Sequence, residues 1–145
     1  MGSVIHMMNN EKISIIHRHW IWANTINLLF HNEVLKLNKP ASNNDYVKLF
    51  ISPYGAYMCI WYGLLFAILE ALKEEKITIP DIQNDIDDIY NSLRHFRNAV
   101  FHAQKKYWSP KFFKIMKDKY SVDKIWRVHK KIGDFLLSKI KEENA

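Results

Sequence analysis

The sequence predicts an all-α protein, an antiparallel bundle of four long helices plus one short helix, in a single domain of 145 residues. Three observations lead there. Apolar residues recur at three- and four-residue intervals over four separate stretches. Start signals of Ser, Thr or Asn, twice followed by Pro, precede those stretches. The chain holds only four glycines and four prolines, and no alternating strand pattern appears.

The first helix is expected over 11–37. Asn9 or Asn10 can cap it, and Glu11 suits its first turn. Ile13, Ile16, Trp20, Ala23, Phe30, Val34 and Leu37 form the inward stripe, interrupted at Asn27. His17, Asn24 and His31 recur at seven-residue spacing on another stripe, read as facing solvent or a subunit. That spacing separates them by about 10 Å along the axis, too far for one ligand set. Residues 38–52 read as a connection broken by Pro40, Ser42, Asn43 and Asn44. Within it, 46–51 is a short helical or extended piece covering the core.

Ser52 and Pro53 open the second long helix, which runs to about Lys76. From Tyr54 to Leu69 it carries no charge. A charge-free run of that length falls short of the roughly 20 residues a membrane span needs, so a central buried helix is expected. Gly55, Gly63 and Ala67 would permit close helix approach. Glu70 follows the apolar run and needs a cationic or hydrogen-bonding partner if buried; Arg97 and Arg94 are the candidates.

Thr78, Pro80 and Asp81 open the third helix, about 80–104. Ile82, Ile86, Ile89, Leu93, Phe96 and Val100 form its core stripe. Asn91, His95, Asn98 and His102 lie about 200° round the helix from it. A short helix is expected over 110–118, with Phe112, Phe113, Ile115 and Met116 among lysines. Ser121 caps the last helix, 122–141, with Ile125, Val128, Ile132, Phe135, Leu136 and Ile140 inward, and Trp126 is assigned to the core. Residues 1–10 and 142–145 are expected to fray.

Net charge is +6, and its distribution is more informative than its total. Residues 105–131 hold nine lysines and Arg127 against Asp118 and Asp123. Residues 70–92 hold seven acids against Lys73 and Lys76. The basic segment is either a nucleic-acid footprint, with Lys105, Lys106, Lys111 and Lys114 as contacts, or a solvated face. Cys59 is the only cysteine and sits in the apolar run. It excludes a disulfide framework, fits a reducing cytoplasm, and reads as a small buried hydrophobe. Residues 1–10 lack a signal-peptide pattern. Phosphate-binding loops, dinucleotide glycine fingerprints, zinc-protease and EF-hand motifs are absent, and no metal or cofactor is expected.

The densest chemistry lies in Arg94-His95-Phe96-Arg97-Asn98-Ala99-Val100-Phe101-His102. Histidines beside fixed positive charge are suited to proton transfer at a phosphate, and they equally suit an ordinary polar helix face. The pattern Arg97-Asn98-x-x-x-His102 resembles the signature of the HEPN family: Arg, a polar residue, then His after four to six intervening positions. The family fold, a bundle of four or five helices with the motif late in a core helix, agrees with the helix order read above. The resemblance extends over about 11–141, with its specific part confined to six residues.

The resemblance implies a metal-independent endoribonuclease, a toxin or phage-defence component, with RNA as substrate. It implies a homodimer in which the motifs of two subunits face one another, and an antitoxin or regulatory protein as partner; no membrane partner is expected. By position, Arg97 and His102 would be catalytic and Asn98 would assist, with Glu70, His95 and Arg94 in support. His102 would serve as general base or acid, and Arg97 would stabilise charge on the phosphate oxygens. In one toxin branch a Tyr stands two residues after the His; Gln104 stands here, so that branch's tyrosine-based regulation is not expected. The alternative is a non-catalytic RNA-binding or protein-interaction module. On a regular helix, positions 97 and 102 are about 140° apart and about 7.5 Å along the axis. One chain therefore supplies half a site unless the helix is irregular, and a two-fold dimer would supply the rest.

Overall fold

Polypeptide with this little Gly and Pro has few stops, and helix accounts for most of the described residues. The computed structural model describes residues 2–37, 42–101, 115 and 118–144. Within these lie five helices: α1 (Gly2–Val34), α2 (Asn43–Ile51), α3 (Pro53–Glu74), α4 (Gln83–Phe101) and α5 (Lys119–Asn144). No strand occurs among the described residues.

The boundaries follow local chemistry. No Pro or Gly interrupts residues 3–37, so α1 starts at Gly2, well ahead of the expected start, and Asn9 and Asn10 lie inside it. Ser42, expected as a breaker, is instead the N-cap of α2, its hydroxyl accepting from the Asp45 amide at 3.2 Å. The short helix seen is thus α2; the one expected over 110–118 falls almost wholly outside the described residues, apart from a helical, buried Ile115 and an exposed, non-helical Asp118. Pro53 occupies the first turn of α3, as its fixed φ favours. Lys76 ends α3 in the left-handed region at φ 56°, with its amide on the Lys73 carbonyl and the Ile77 amide on the Leu72 carbonyl. These two bonds satisfy terminal carbonyls that the helix leaves open. The next helix begins three residues later than expected, at Gln83, whose side-chain Oε1 accepts from the Ile79 amide.

α3 packs against α1, α2 and α4, and α5 packs against α1 and α4. Half of α3 is buried, including Trp61, Tyr62, Leu65, Phe66 and Leu69. By length and composition α3 could cross a membrane, yet 61% of its apolar window is enclosed by its neighbours. The α4 stripe Ile86, Ile89, Leu93 and Phe96 and the α5 stripe Ile125, Val128, Ile132 and Leu136 close on it. On α1, Ile13, Ile16, Ala23 and Phe30 are buried, whereas Val34 at its end and Leu37 beyond it are exposed. Asn27, which breaks that apolar stripe, is fully buried with neither amide atom bonded to another protein group. Cys59 is buried and its thiol is pushed up to about 12, so it packs as a hydrophobe. Gly63 admits the Phe101 ring of α4, whose edge would lie 2.7 Å from an added Cβ.

His129 of α5 joins three helices. The Trp20 indole N–H donates to its carbonyl oxygen at 2.8 Å, and the Trp61 indole N–H donates to its Nδ1 at 3.2 Å. Nδ1 therefore carries no proton, so Nε2 does, and Nε2 donates to Asn24 Oδ1 at 3.1 Å. Gly133, one turn on, leaves room for the Trp20 ring. The His17-Asn24-His31 stripe, read as facing solvent or a subunit, turns to α5 and α3 at two of its positions: Asn24 binds His129, and His31 touches Trp61 and Trp126, while His17 stacks on Trp20 of its own helix. Trp126, assigned to the core, is 38% exposed and lies at the cluster's edge.

Burial, reinforced by the neighbouring His31, lowers the His129 imidazole to about 4. Burial lowers His31 as well. The unfolded chain takes up the proton near 6.5, well before the folded chain does. Stability should therefore be complete above about pH 6.5 and fall as pH drops toward 4, by about 3 kcal/mol from His129 alone. Urea unfolding at pH 7 and pH 4, compared between the wild type and His129→Gln, measures this; the variant should lose a smaller share of its stability.

Candidate functional site

α4 buries Phe96, and that orientation brings the adjacent Arg97 to the seam with α3. Arg97 is held there by three neighbours. Its guanidinium carbon lies 4.3 Å from the centroid of the Phe66 ring, a cation–π geometry. Its Nη1 is 3.9 Å from Glu70 Oε2, an ion pair too long for a hydrogen bond. Its Nη2 donates to Asn98 Oδ1 at 3.1 Å. Phe66 and Glu70 are one turn apart on α3 and so present a ring and a carboxylate to the same guanidinium.

The arginine side chain remains 32% exposed and Glu70 45% exposed. A guanidinium has five N–H donors, more than these partners engage, so Arg97 is oriented and keeps donors for an incoming anion. Of the two candidates for Glu70, Arg97 makes the pair. Asn98, half-buried, orients Arg97. Arg94 and His95 are exposed on α4, one turn or less away. His102, Lys105, Lys106, Lys111 and Lys114 lie outside the described residues. The structure therefore gathers Arg97, Asn98 and Glu70 and shows one half of the Arg97–His102 motif.

Phe66 is the participant that sequence reasoning overlooked. The available signal was its spacing: four residues before Glu70, it had to share that carboxylate's partner. Next to this site, toward the α3–α4 connection, a cavity of about 420 Å³ is bordered by Lys73, Lys76, Thr78, Asp87, Tyr90 and Asn91. Lys73 there lies 4.5 Å from the Tyr90 ring centroid. Among the described residues no three His, Cys, Asp or Glu side chains converge as metal ligands.

The segregated charges partly serve one another. Arg127 grips Asp85 through Nε at 3.0 Å and Nη2 at 2.6 Å, and Lys124 meets Asp88 at 2.8 Å. Two cations of the basic segment are thus bound to two acids of the acidic one, holding α5 against α4. The Lys124 side chain is only 5% exposed, whereas Asp88 is 60% exposed. Removing the acid withdraws a charged partner from a buried ammonium, while replacing the lysine by an apolar residue of similar length removes the charge with it. Asp88→Asn should cost about 2 kcal/mol and Lys124→Met under about 1 kcal/mol, read by chemical denaturation.

No family model matches the chain, and no curated protein or solved structure matches it.

Proposed function

We propose that this chain is a metal-independent endoribonuclease of the HEPN type that acts as a homodimer. The observation that carries the reading is the seating of Arg97: a partly exposed guanidinium fixed by Phe66, Glu70 and Asn98, five residues before His102. A fixed cation with spare donors is what a phosphate needs as charge builds on its oxygens.

In the reaction, the RNA 2′-hydroxyl attacks the adjacent phosphorus. A histidine removes the hydroxyl proton as the new P–O bond forms. The bond from phosphorus to the 5′ oxygen breaks, and a protonated histidine supplies that oxygen with a proton. The products are a 2′,3′-cyclic phosphate and a 5′-hydroxyl. Arg97 stabilises the phosphorane-like charge. His102 of one copy serves as base and His102 of the other as acid, which a two-fold arrangement permits. Lys105, Lys106, Lys111 and Lys114 hold the strand. A toxin or phage-defence role, with an antitoxin or regulator as restraint, is the biological setting of this reading.

The fold of that reading is an antiparallel four-helix bundle. Two sets of contacts support it. Lys12 in the first half of α1 pairs with Glu75 beyond the end of α3, while Phe30 near the end of α1 meets Tyr54 near the start of α3. Along α4 and α5, Asp85 meets Arg127 and Asp88 meets Lys124, so one number rises as the other falls.

The pairing of Arg97 with Glu70 also fits a non-catalytic RNA-binding or protein-interaction module, in which the arginine only braces α4 on α3. Cleavage of end-labelled single-stranded RNA in excess EDTA separates the two. Cleavage should persist with chelator and fall by at least about 100-fold in His102→Ala and in Arg97→Ala, with helical content unchanged. Loss of cleavage with chelator alone, or full activity in His102→Ala, sinks the catalytic mechanism.

A further inference from the structure

α1 meets α3 and α5 through one side and leaves the other uncovered. On that open side Ile15, Ile21, Trp22, Leu28 and Leu29 are exposed, and Leu35, whose amide still bonds the His31 carbonyl one turn back, is 85% exposed. These residues form two rows at seven-residue spacing: Ile15, Trp22 and Leu29 on one flank, Ile21, Leu28 and Leu35 on the other. Between the rows runs a polar seam of Arg18, Thr25 and Asn32, all exposed. On a regular helix the seam lies within about 20° of Thr25, and the rows lie about 40–80° to either side. Arg18 is held to this face by the Trp22 ring, 5.2 Å away.

We infer that this face binds a second copy of the chain, α1 against α1, antiparallel, with the two-fold axis at Thr25. The pattern is its own complement. Reversing the helix about Thr25 exchanges Arg18 with Asn32, and brings Ile21 opposite Leu28 of the partner copy and Trp22 opposite Leu29. Each apolar row then meets its own counterpart, as a two-fold contact requires. Charge selects the direction. A parallel pair in register sets Arg18 against Arg18 in the seam, whereas the antiparallel pair sets it against Asn32. The area is adequate as well. With roughly 200 Å² for a fully exposed Leu or Ile and somewhat more for Trp, the six side chains offer roughly 650 Å² per copy, before the seam is added. A standard interface buries about 800 Å² per partner.

The contact is separate from the catalytic pairing proposed above, because Arg97 belongs to α4, which packs on α3 and α5. Its success or failure is read from mass and cross-linking, neither of which depends on RNA cleavage.

Two experiments on the full chain test it. In sedimentation equilibrium, Leu28→Glu should halve the particle mass of the wild type with helical content retained; exposure at this position makes misfolding a minor concern. Cysteine cross-linking reads the geometry without disturbing the apolar rows. Helices packed at about 8–10 Å bring seam Cα atoms on the axis within disulfide reach, whereas positions seven residues away lie about 21 Å from their counterparts. Under mild oxidation Thr25→Cys should cross-link two chains and Asn32→Cys should not; the native Cys59 is buried and does not compete. An unchanged mass in a folded Leu28→Glu, a wild type already of single-chain mass, or equal cross-linking at 25 and 32 overturns the proposal.

Discussion

The structure depends on keeping one imidazole neutral. His129 receives the Trp61 indole N–H on Nδ1 and gives its own Nε2 proton to Asn24, so each ring nitrogen has a fixed role. A second proton would set an N–H against the indole N–H. The Trp20 indole meanwhile holds the His129 carbonyl, and Gly133 clears space for that ring. Through these bonds α5 is tied to α1 and α3, the two helices that otherwise touch most closely. The arrangement explains why so many aromatic rings crowd one region. Trp20, Trp61 and Trp126 exclude water from the histidine, and their exclusion of water is what depresses its basicity.

From that anchored frame the candidate site follows by orientation. α5 is fixed to α1 at His129 and to α4 by the Lys124–Asp88 and Arg127–Asp85 pairs. α4 is then held with Phe96 inward, and Arg97 falls at the seam where Phe66 and Glu70 wait on α3. The ion pair itself contributes little, since at 3.9 Å and with nearly half of Glu70 exposed it is screened by water. Its service is directional. Ring, carboxylate and amide restrict a flexible side chain to one place, which lowers the entropy lost when an anion is bound.

Exposed surface divides along the same frame. The α3–α4 side carries the arginine and its polar companions, and the free side of α1 carries the two apolar rows. A guanidinium with spare donors can receive an anion, while paired apolar rows around a polar seam suit another helix. The chemistry of each face fixes what it can recognise, and the two faces occupy separate helices.

Helix identity was legible in the sequence because a 3.6-residue period needs no knowledge of neighbours: the α4 stripe from Ile82 to Phe96 and the α5 stripe from Ile125 to Leu136 are buried as their spacing requires. The motif residues and the need of Glu70 for a cation could also be read directly. Helix ends were read less well. Asn9, Asn10 and Ser42 have the same chemistry, yet two lie inside a helix and one caps another, because capping depends on the backbone they meet. Which polar residues face inward could not be read at all. His129, Asn24 and His31 resemble surface residues until three helices are brought together around them, and Lys124 and Arg127 resemble a free basic face until Asp88 and Asp85 arrive from α4. Periodicity, a property of one helix, fixed which side of each helix turns inward; the partners of the buried polar groups belong to different helices and were decided only by tertiary packing.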